Sequence, residues 1–298
     1  MTDTAEHIAT EPELPKQDKL QRALFRFRQS KLSMLGAVMV ALVVFFTAFG
    51  TLLAPFPDHI AGGVDTAARF QPPSWAHPFG TNELGQDVLS LVMAGTTVSV
   101  LAGLSVVLIG TVIGTLVGAI AGFAGGWIDE VLMRLTDLTL TIPGLILAMA
   151  VAAALGPGFT NMIIAISLSW WPGYARLVRG EVLAVREESY VNAARAIGAK
   201  PSRILLRHIL PNTVSPIIVK MSLDMGFAIL MVAGLGFIGI GIRPPTPEWG
   251  TLLSVSRSYM PDYWWTAMAP GMAMFFAVFG FNLLGDGLRD ILDPKARR

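Results

Sequence analysis

The sequence predicts an all-α membrane protein with six transmembrane helices, both termini in the cytoplasm, and a cytoplasmic helical hairpin between spans 4 and 5. Three observations carry this prediction. Of 298 residues, 53% are hydrophobic and only 14% charged, whereas an ordinary soluble domain carries about 25% charged residues. Six apolar stretches, about 34–54, 96–121, 130–154, 160–179, 214–240 and 265–285, approach the roughly 20 residues that a helix needs to cross a bilayer. Lys and Arg concentrate in alternate loops, as the positive-inside rule requires.

In chain order, residues 1–33 form a polar tail, with 1–15 read as disordered. From Lys16 onward Leu20, Leu24 and Phe27 share one helical face among Arg22, Arg26 and Arg28. That pattern suits an interfacial amphipathic helix or, equally, a basic flank that fixes topology. The tail is too long and polar for a signal-peptide n-region, and the apolar run after it lacks a clear cleavage signal, so that run reads as a retained first span. Residues 34–95 hold span 1 and an extracytoplasmic loop in which Arg69 is the sole Lys or Arg. Residues 96–285 form the membrane core, including the cytoplasmic loop 180–212, and 286–298 form a C-terminal tail. Lys16, Lys19, Arg22, Arg26, Arg28 and Lys31 precede span 1. Arg176, Arg179, Arg186, Arg195, Lys200, Arg203 and Arg207 lie at and after span 4, and Arg289, Lys295, Arg297 and Arg298 end the chain. Six spans put all three clusters on the cytoplasmic side.

Within the core, Gly110, Gly114, Gly118 and Gly122 leave one face of span 2 without side chains, open to close approach by a helix of this chain or of another subunit. Pro143 and Pro172 are expected to kink spans 3 and 4. Trp170 and Trp171 beside Pro172 suit either packing or the lining of a path. Lys220 and Asp224, four residues apart in span 5, can pair on one face; intramembrane charges usually face a cavity or partner. Arg134 and Asp137 lie nearer the cytoplasmic surface and suit a structural or partner-contacting role.

The stretch from Glu188 to Asn212 is polar and basic between two apolar spans. Ala193, Ala194, Ile197, Ile204 and Leu205 interleave with Arg195, Lys200, Arg203 and Arg207. Gly198 marks a helix stop, Pro201 opens a second short helix and Pro211 stops it. The hairpin holds no catalytic group and looks like a surface another protein grips.

Other signals point away from chemistry within the chain. The net charge of +1 offers no basic surface for nucleic acid, and the absence of cysteine excludes disulfides, thiolate metal sites and cysteine nucleophiles. Gly234, Gly236 and Gly239 fit a dinucleotide-binding pattern in form, but they sit in an apolar span without the flanking strand. The chain has no phosphate-binding loop and no zinc-protease or serine-hydrolase motif, and its four histidines lack metal spacing.

Three motifs then resemble a known family. Asn192-Ala193-Ala194, three residues, Gly198, nine residues and His208-Ile209-Leu210-Pro211 follow the E-A-A…G…I-x-L-P cytoplasmic loop of inner-membrane permeases, with Asn192 at the acid position and His208 at the Ile position. His77-Pro78-Phe79-Gly80-Thr81-Asn82-Glu83-Leu84-Gly85-Gln86-Asp87-Val88-Leu89-Ser90 resembles a branch hallmark in which Asp and Arg are commoner than Asn82 and Gln86. Asn282 to Asp290 with Asp293-Pro294, and Pro244 to Gly250, resemble two further runs of that branch. From about residue 30 onward the chain is similar to permease subunits of ABC (ATP-binding-cassette) importers, in the dipeptide/oligopeptide/nickel branch, second-permease type.

The resemblance implies a subunit of the bacterial inner membrane, embedded in lipid, that is not itself an enzyme. It implies pairing with a second, homologous permease, two cytoplasmic ATPases that bind ATP and Mg, and an extracytoplasmic solute-binding protein. Ser189, Tyr190, Asn192, Ala193, Ala194, Ile197, Gly198 and Pro211 would form the coupling-helix surface that docks on an ATPase. Trp170, Trp171, Lys220 and Asp224 are the candidates for the translocation path. Any Asp–Arg pairing across positions 82 and 86 would be missing. Di- or oligopeptides are the commonest cargo of the branch, with glutathione, nickel chelates and opines as alternatives. An ion-coupled carrier or channel would account for six spans and buried charges but not for the hairpin spacing. An intramembrane enzyme would lack a visible nucleophile or metal set.

Overall fold

The computed structural model describes residues 27–292, so most of the amphipathic tail stretch and the last six residues lie outside the description. Among the described residues the fold is helical. Helices α1 (Lys31–Leu53) and α2 (Val88–Ala124) flank an ordered loop. They are followed by α3 (Gly126–Thr141), α4 (Gly144–Leu155), α5 (Phe159–Arg186) and the short α6 (Ser189–Ala196). Helix α7 (Pro201–Ile238), α8 (Trp249–Ser256) and α9 (Trp265–Leu292) complete it.

α1, α2, α7 and α9 are each long and apolar enough to cross a bilayer. The third expected span is not the continuous, kinked helix that the sequence suggests. α3 and α4 meet at 88°, and Pro143 stands at the start of α4 rather than inside a helix. Proline lacks the N–H that would continue the ladder and biases the preceding residue away from the helical region; Ile142 is extended accordingly. α5, at 28 residues, is long enough but is interrupted by polar residues, among them Asn161, Arg176, Arg179 and Glu181. Pro172 is accommodated within it.

The expectation that Pro211 ends the second hairpin helix is overturned. Pro201 to Ile238 is one helix of 38 residues. Its base, Ile204–Ile209, is a π turn in which the Leu210 N–H reaches the Leu205 carbonyl. Wider turns of this kind interrupt the i→i−4 ladder, so the proline's missing donor is absorbed in an already widened stretch.

The glycine ladder finds its partner inside the chain. A side chain at Gly110 would meet the Trp170 side chain, one at Gly114 would meet Tyr174 and the Trp171 carbonyl, and one at Gly118 would meet the Ala175 carbonyl. α2 and α5 therefore pack backbone to backbone along about three turns, as small residues allow in membrane helices. Around this seam Val106, Val107, Ile166, Tyr174, Ile229 and Leu235 are fully or almost fully buried. Val38, Phe45, Leu116 and Phe275 point outward, the apolar exterior that a lipid solvent requires. Of the three dinucleotide-like glycines, Gly236 lies against Glu248, Gly239 (φ +88°) ends α7, and a Cβ at Gly234 would meet nothing within 4 Å.

The loop between α1 and α2 is held by the His77–Asp87 segment. Asp87 caps α2 through the Ser90 N–H (2.8 Å) and hydroxyl (2.7 Å), and its other oxygen lies 2.9 Å from His77 Nδ1. At positions 82 and 86 no ion pair is needed. The Asn82 amide N–H₂ donates to Gln86 Oε1 at 2.9 Å, and the Asn82 carbonyl oxygen accepts from the backbone N–H of Leu84 and of Gln86. Gln86 Nε2 in turn donates to the carbonyls of His59 and Gly63. A neutral amide pair thus spans the two sites. Asn82→Asp alone is expected to set a carboxylate against the Gln86 carbonyl oxygen and lower stability by about 1–3 kcal/mol. Combined with Gln86→Arg, the loss should be smaller than the sum of the single losses, which a double-mutant cycle on thermal unfolding in detergent reads directly.

Candidate functional site

α6 lies at the end of α5 and lays two side chains, Val191 and Ala194, into a small core with Ala119, Val178, Val182, Ile204, Ile209 and Ile217. Positions 191 and 194 are one helical turn apart, so the remaining positions face out. Ser189, Tyr190, Asn192 and Ala193 are exposed, and Ile197 is 86% exposed. The two alanines therefore separate: Ala194 anchors the helix and Ala193 belongs to its outer surface.

The helix ends in a Schellman motif. The Gly198 N–H donates to the Arg195 carbonyl (2.9 Å) and the Ala199 N–H to the Ala194 carbonyl (3.1 Å), with Gly198 at φ +78°. Glycine is favoured there for its backbone angle, since a Cβ would meet nothing within 4 Å. Three residues after Gly198, Pro201 opens α7. A side-chain clasp closes the hairpin: Asn212 Nδ2 donates to the His208 carbonyl (2.6 Å) and to the Tyr190 hydroxyl (3.1 Å), and that hydroxyl lies 3.4 Å from the same carbonyl. Asn192 donates to the Glu187 carbonyl at 3.3 Å and accepts from Arg195 at 3.0 Å. Pro211 lies within α7, just beyond the π turn, instead of on the exposed face of α6.

The path candidates divide. Trp170 and Trp171 are both buried; Trp170 fills the space at Gly110 and lies 5.5 Å from the Phe227 ring. Lys220 and Asp224 are partly exposed at 31% and 18% and pair at 3.2 Å, with the ammonium 5.0 Å over the Tyr174 ring. The ring adds a cation–π contact to the ion pair. Gly173 borders the Lys220 side chain, where an added Cβ would make ordinary contact.

Sequence spacing missed the ion pairs that tie α3 to α5. Arg134 pairs with Glu130 on its own helix at 3.5 Å, while Asp137 pairs with Arg176 at 2.7 Å. Asp129 takes both prongs of the Arg179 guanidinium, at 2.6 and 2.7 Å. Asp129 and Asp137 stand two helical turns apart on α3 while their partners Arg179 and Arg176 stand one turn apart on α5, so spacing along either helix could not have matched them. Among the described residues no cluster of three His, Asp or Glu side chains is arranged to hold a metal.

Residues 114–298 match the family described as binding-protein-dependent transport system inner membrane component, and residues 19–73 match the N-terminal membrane domain of oligopeptide transport permease C. The chain is 44% identical over 275 residues to the probable D,D-dipeptide transport system permease protein DdpC of Escherichia coli (strain K12), covering 92% of this chain and 91% of the relative. It is 43% identical over 272 residues to the glutathione transport system permease protein GsiD of Escherichia coli O6:K15:H31, covering 91% and 89%. A match to a family model over more than half the chain and these near full-length similarities agree with the all-helical, apolar architecture: the chain belongs to the family of inner-membrane permease components of binding-protein-dependent transport systems.

Proposed function

We propose that this chain is one of two homologous permease subunits in an ATP-driven importer of short peptides. α1, α2, the bent pair α3–α4, α5, α7 and α9 serve as its six spans, with both termini in the cytoplasm. Two cytoplasmic ATPases, which bind ATP and Mg, serve the permease pair, one of them docking on the exposed face of α6, and an extracytoplasmic binding protein delivers the solute. The observation that carries the docking assignment is an isoleucine left 86% exposed at the tip of an otherwise well-anchored hairpin. An exposed apolar tip beside the small Ala193 suits insertion into a groove of a partner. The hairpin leads straight into a 38-residue helix, so a push on α6 has a stiff element to act on.

Lys220 and Asp224, partly exposed and paired, are the groups of the path that meet the solute. Trp170 and Trp171 shape its wall from behind. A short peptide carries one cationic and one anionic end, and a fixed ammonium–carboxylate pair complements both. The similarity to a D,D-dipeptide permease and a glutathione permease supports a peptide cargo.

The test is uptake by the assembled transporter in proteoliposomes. Uptake of a radiolabelled dipeptide or of glutathione is expected to require internal ATP and to survive collapse of proton and sodium gradients. Uptake that follows an ion gradient without ATP would refute the assignment.

A further inference from the structure

Glu248 has no solvent exposure, yet four donors converge on its carboxylate. Oε1 accepts from the Gly250 N–H at 2.8 Å and from the Ser99 hydroxyl at 3.2 Å, and Oε2 accepts from the Thr251 N–H at 2.8 Å and hydroxyl at 3.1 Å. Two of these bonds cap α8. Capping alone does not call for a buried acid, because an exposed Ser or Asp does the same for a helix end. Burying a carboxylate is costly unless its hydrogen bonds are made, and the group reaches across to another helix.

The neighbouring residues extend the same junction. The Ser99 hydroxyl accepts from the Trp249 N–H at 3.1 Å, and the Trp249 indole donates to the Val92 carbonyl at 3.1 Å. A Cβ at Gly95 would touch the Trp249 ring, one at Gly236 would collide with the Glu248 carboxylate, and one at Gly250 would collide with the Ala233 carbonyl. Glu248, Trp249 and Gly250 are therefore bolted to α2 at Val92–Ser99 and to α7 at Ala233–Gly236.

The position along α7 gives the junction a mechanical meaning. α7 starts at Pro201, three residues after the hairpin glycine, and its 38 residues span about 57 Å at 1.5 Å per residue. Its far end is the end that Glu248 grips.

We propose that Glu248 is a positioning residue that locks α8 and the outer part of α2 to the far end of α7, so that movement of the cytoplasmic hairpin reaches the outer mouth of the path as one rigid displacement. This inference rests on the hairpin being the ATPase contact. Rocking of packed bundles needs such a fixed joint, because a loose one would absorb the motion locally. Ser99 supplies the joint to α2, and Gly236 supplies the seat on α7.

The absence of cysteine in the chain permits a direct test. One cysteine replaces Val255 on α8, which is 37% exposed, and in a second protein one replaces the exposed Ala196 of the hairpin. Each is assembled with its ATPases and second permease, and its rate of modification by a soluble maleimide is measured without nucleotide and after trapping with ATP and vanadate. In the parent chain both rates should change severalfold on trapping. With Glu248→Ala or Gly236→Ala, which open the junction from opposite sides, the change at position 196 should persist and the change at 255 should disappear.

An unaltered response at 255 in an assembled complex carrying either variant overturns the proposal, since a residue serving stability alone would lower the yield and leave the response intact. If Glu248→Ala fails to assemble, Gly236→Ala and Ser99→Ala carry the same comparison with the carboxylate in place. Loss of the response at 196 in the parent chain would instead refute the hairpin assignment, and the proposal with it.

Discussion

Replacing Ala193 with tryptophan is expected to lower ATP-driven uptake by about tenfold or more, equivalent to at least ~1.4 kcal/mol of lost docking free energy, while the protein still inserts at its normal level. The reasoning is geometric. Ala193 is on the exposed face of α6, whereas Val191 and Ala194 make the contacts that hold the helix to the protein. A large side chain at 193 leaves those contacts untouched and prevents a partner's groove from closing on the helix. The matched change at the neighbouring position, Ala194→Trp, should behave differently. Ala194 is buried, so the substitution overfills the small core around Val178, Val182 and Ile209 and should cost stability. Membrane level by immunoblot and uptake by the assembled complex separate the two outcomes. Normal uptake in Ala193→Trp would remove the docking role from this face.

The second large effect is expected at the α2–α5 seam. Gly114→Leu forces a side chain into the Tyr174 side chain and the Trp171 backbone carbonyl. Backbone on the far side cannot rotate away as a flexible side chain can, so the helices must separate. Overpacking in a dense core costs typically about 1–3 kcal/mol and more where nothing can yield. The expected result is a marked fall in apparent Tm and in the monodisperse fraction after detergent extraction. Gly234→Leu on α7, where a Cβ meets nothing within 4 Å, is the control and should extract normally. Equal behaviour of the two variants would mean that the seam is not closed as described.

Much of this molecule was written in its pattern of apolar runs and charges. Composition established a helical membrane protein, and the apolar runs located the long helices, because burial in lipid demands an unbroken stretch of the right length. What escaped was decided by backbone geometry or by distant partners. Pro143 and Pro211 look alike as prolines in apolar surroundings. One stands between two helices that meet at 88°, with an extended residue before it, and the other is carried just beyond a π turn within a continuous helix. Periodicity cannot distinguish these cases. The glycine ladder announced close packing but not its partner, since spacing on one helix says nothing of which helix approaches.

At the candidate site the division is similar. The Gly198 stop and the Pro201 start were legible because both residues act through local backbone preferences. The inward turn of Ala194 and the outward turn of Ala193 depended on how α6 sits on α5 and α7. Lys220 and Asp224 were legible as an i,i+4 pair, but the Tyr174 ring beneath the ammonium comes from another helix. The Asn82–Gln86 departure left a gap where the resemblance would put an ion pair; in three dimensions the gap is filled by an amide–amide hydrogen bond with the remaining amide groups satisfied by backbone.

The central claim is that the hairpin from Glu188 to Asn212 receives the ATPase. A cysteine at Ala193, unique in a chain without others, tests it most directly when a short bifunctional maleimide is applied to the assembled transporter in native membranes. The account predicts one predominant cross-linked product, this chain joined to an ATPase subunit, with a yield that changes when ATP and vanadate are added. A cysteine that forms no such product, or that reacts with an impermeant reagent from the outer face of the membrane, would contradict it.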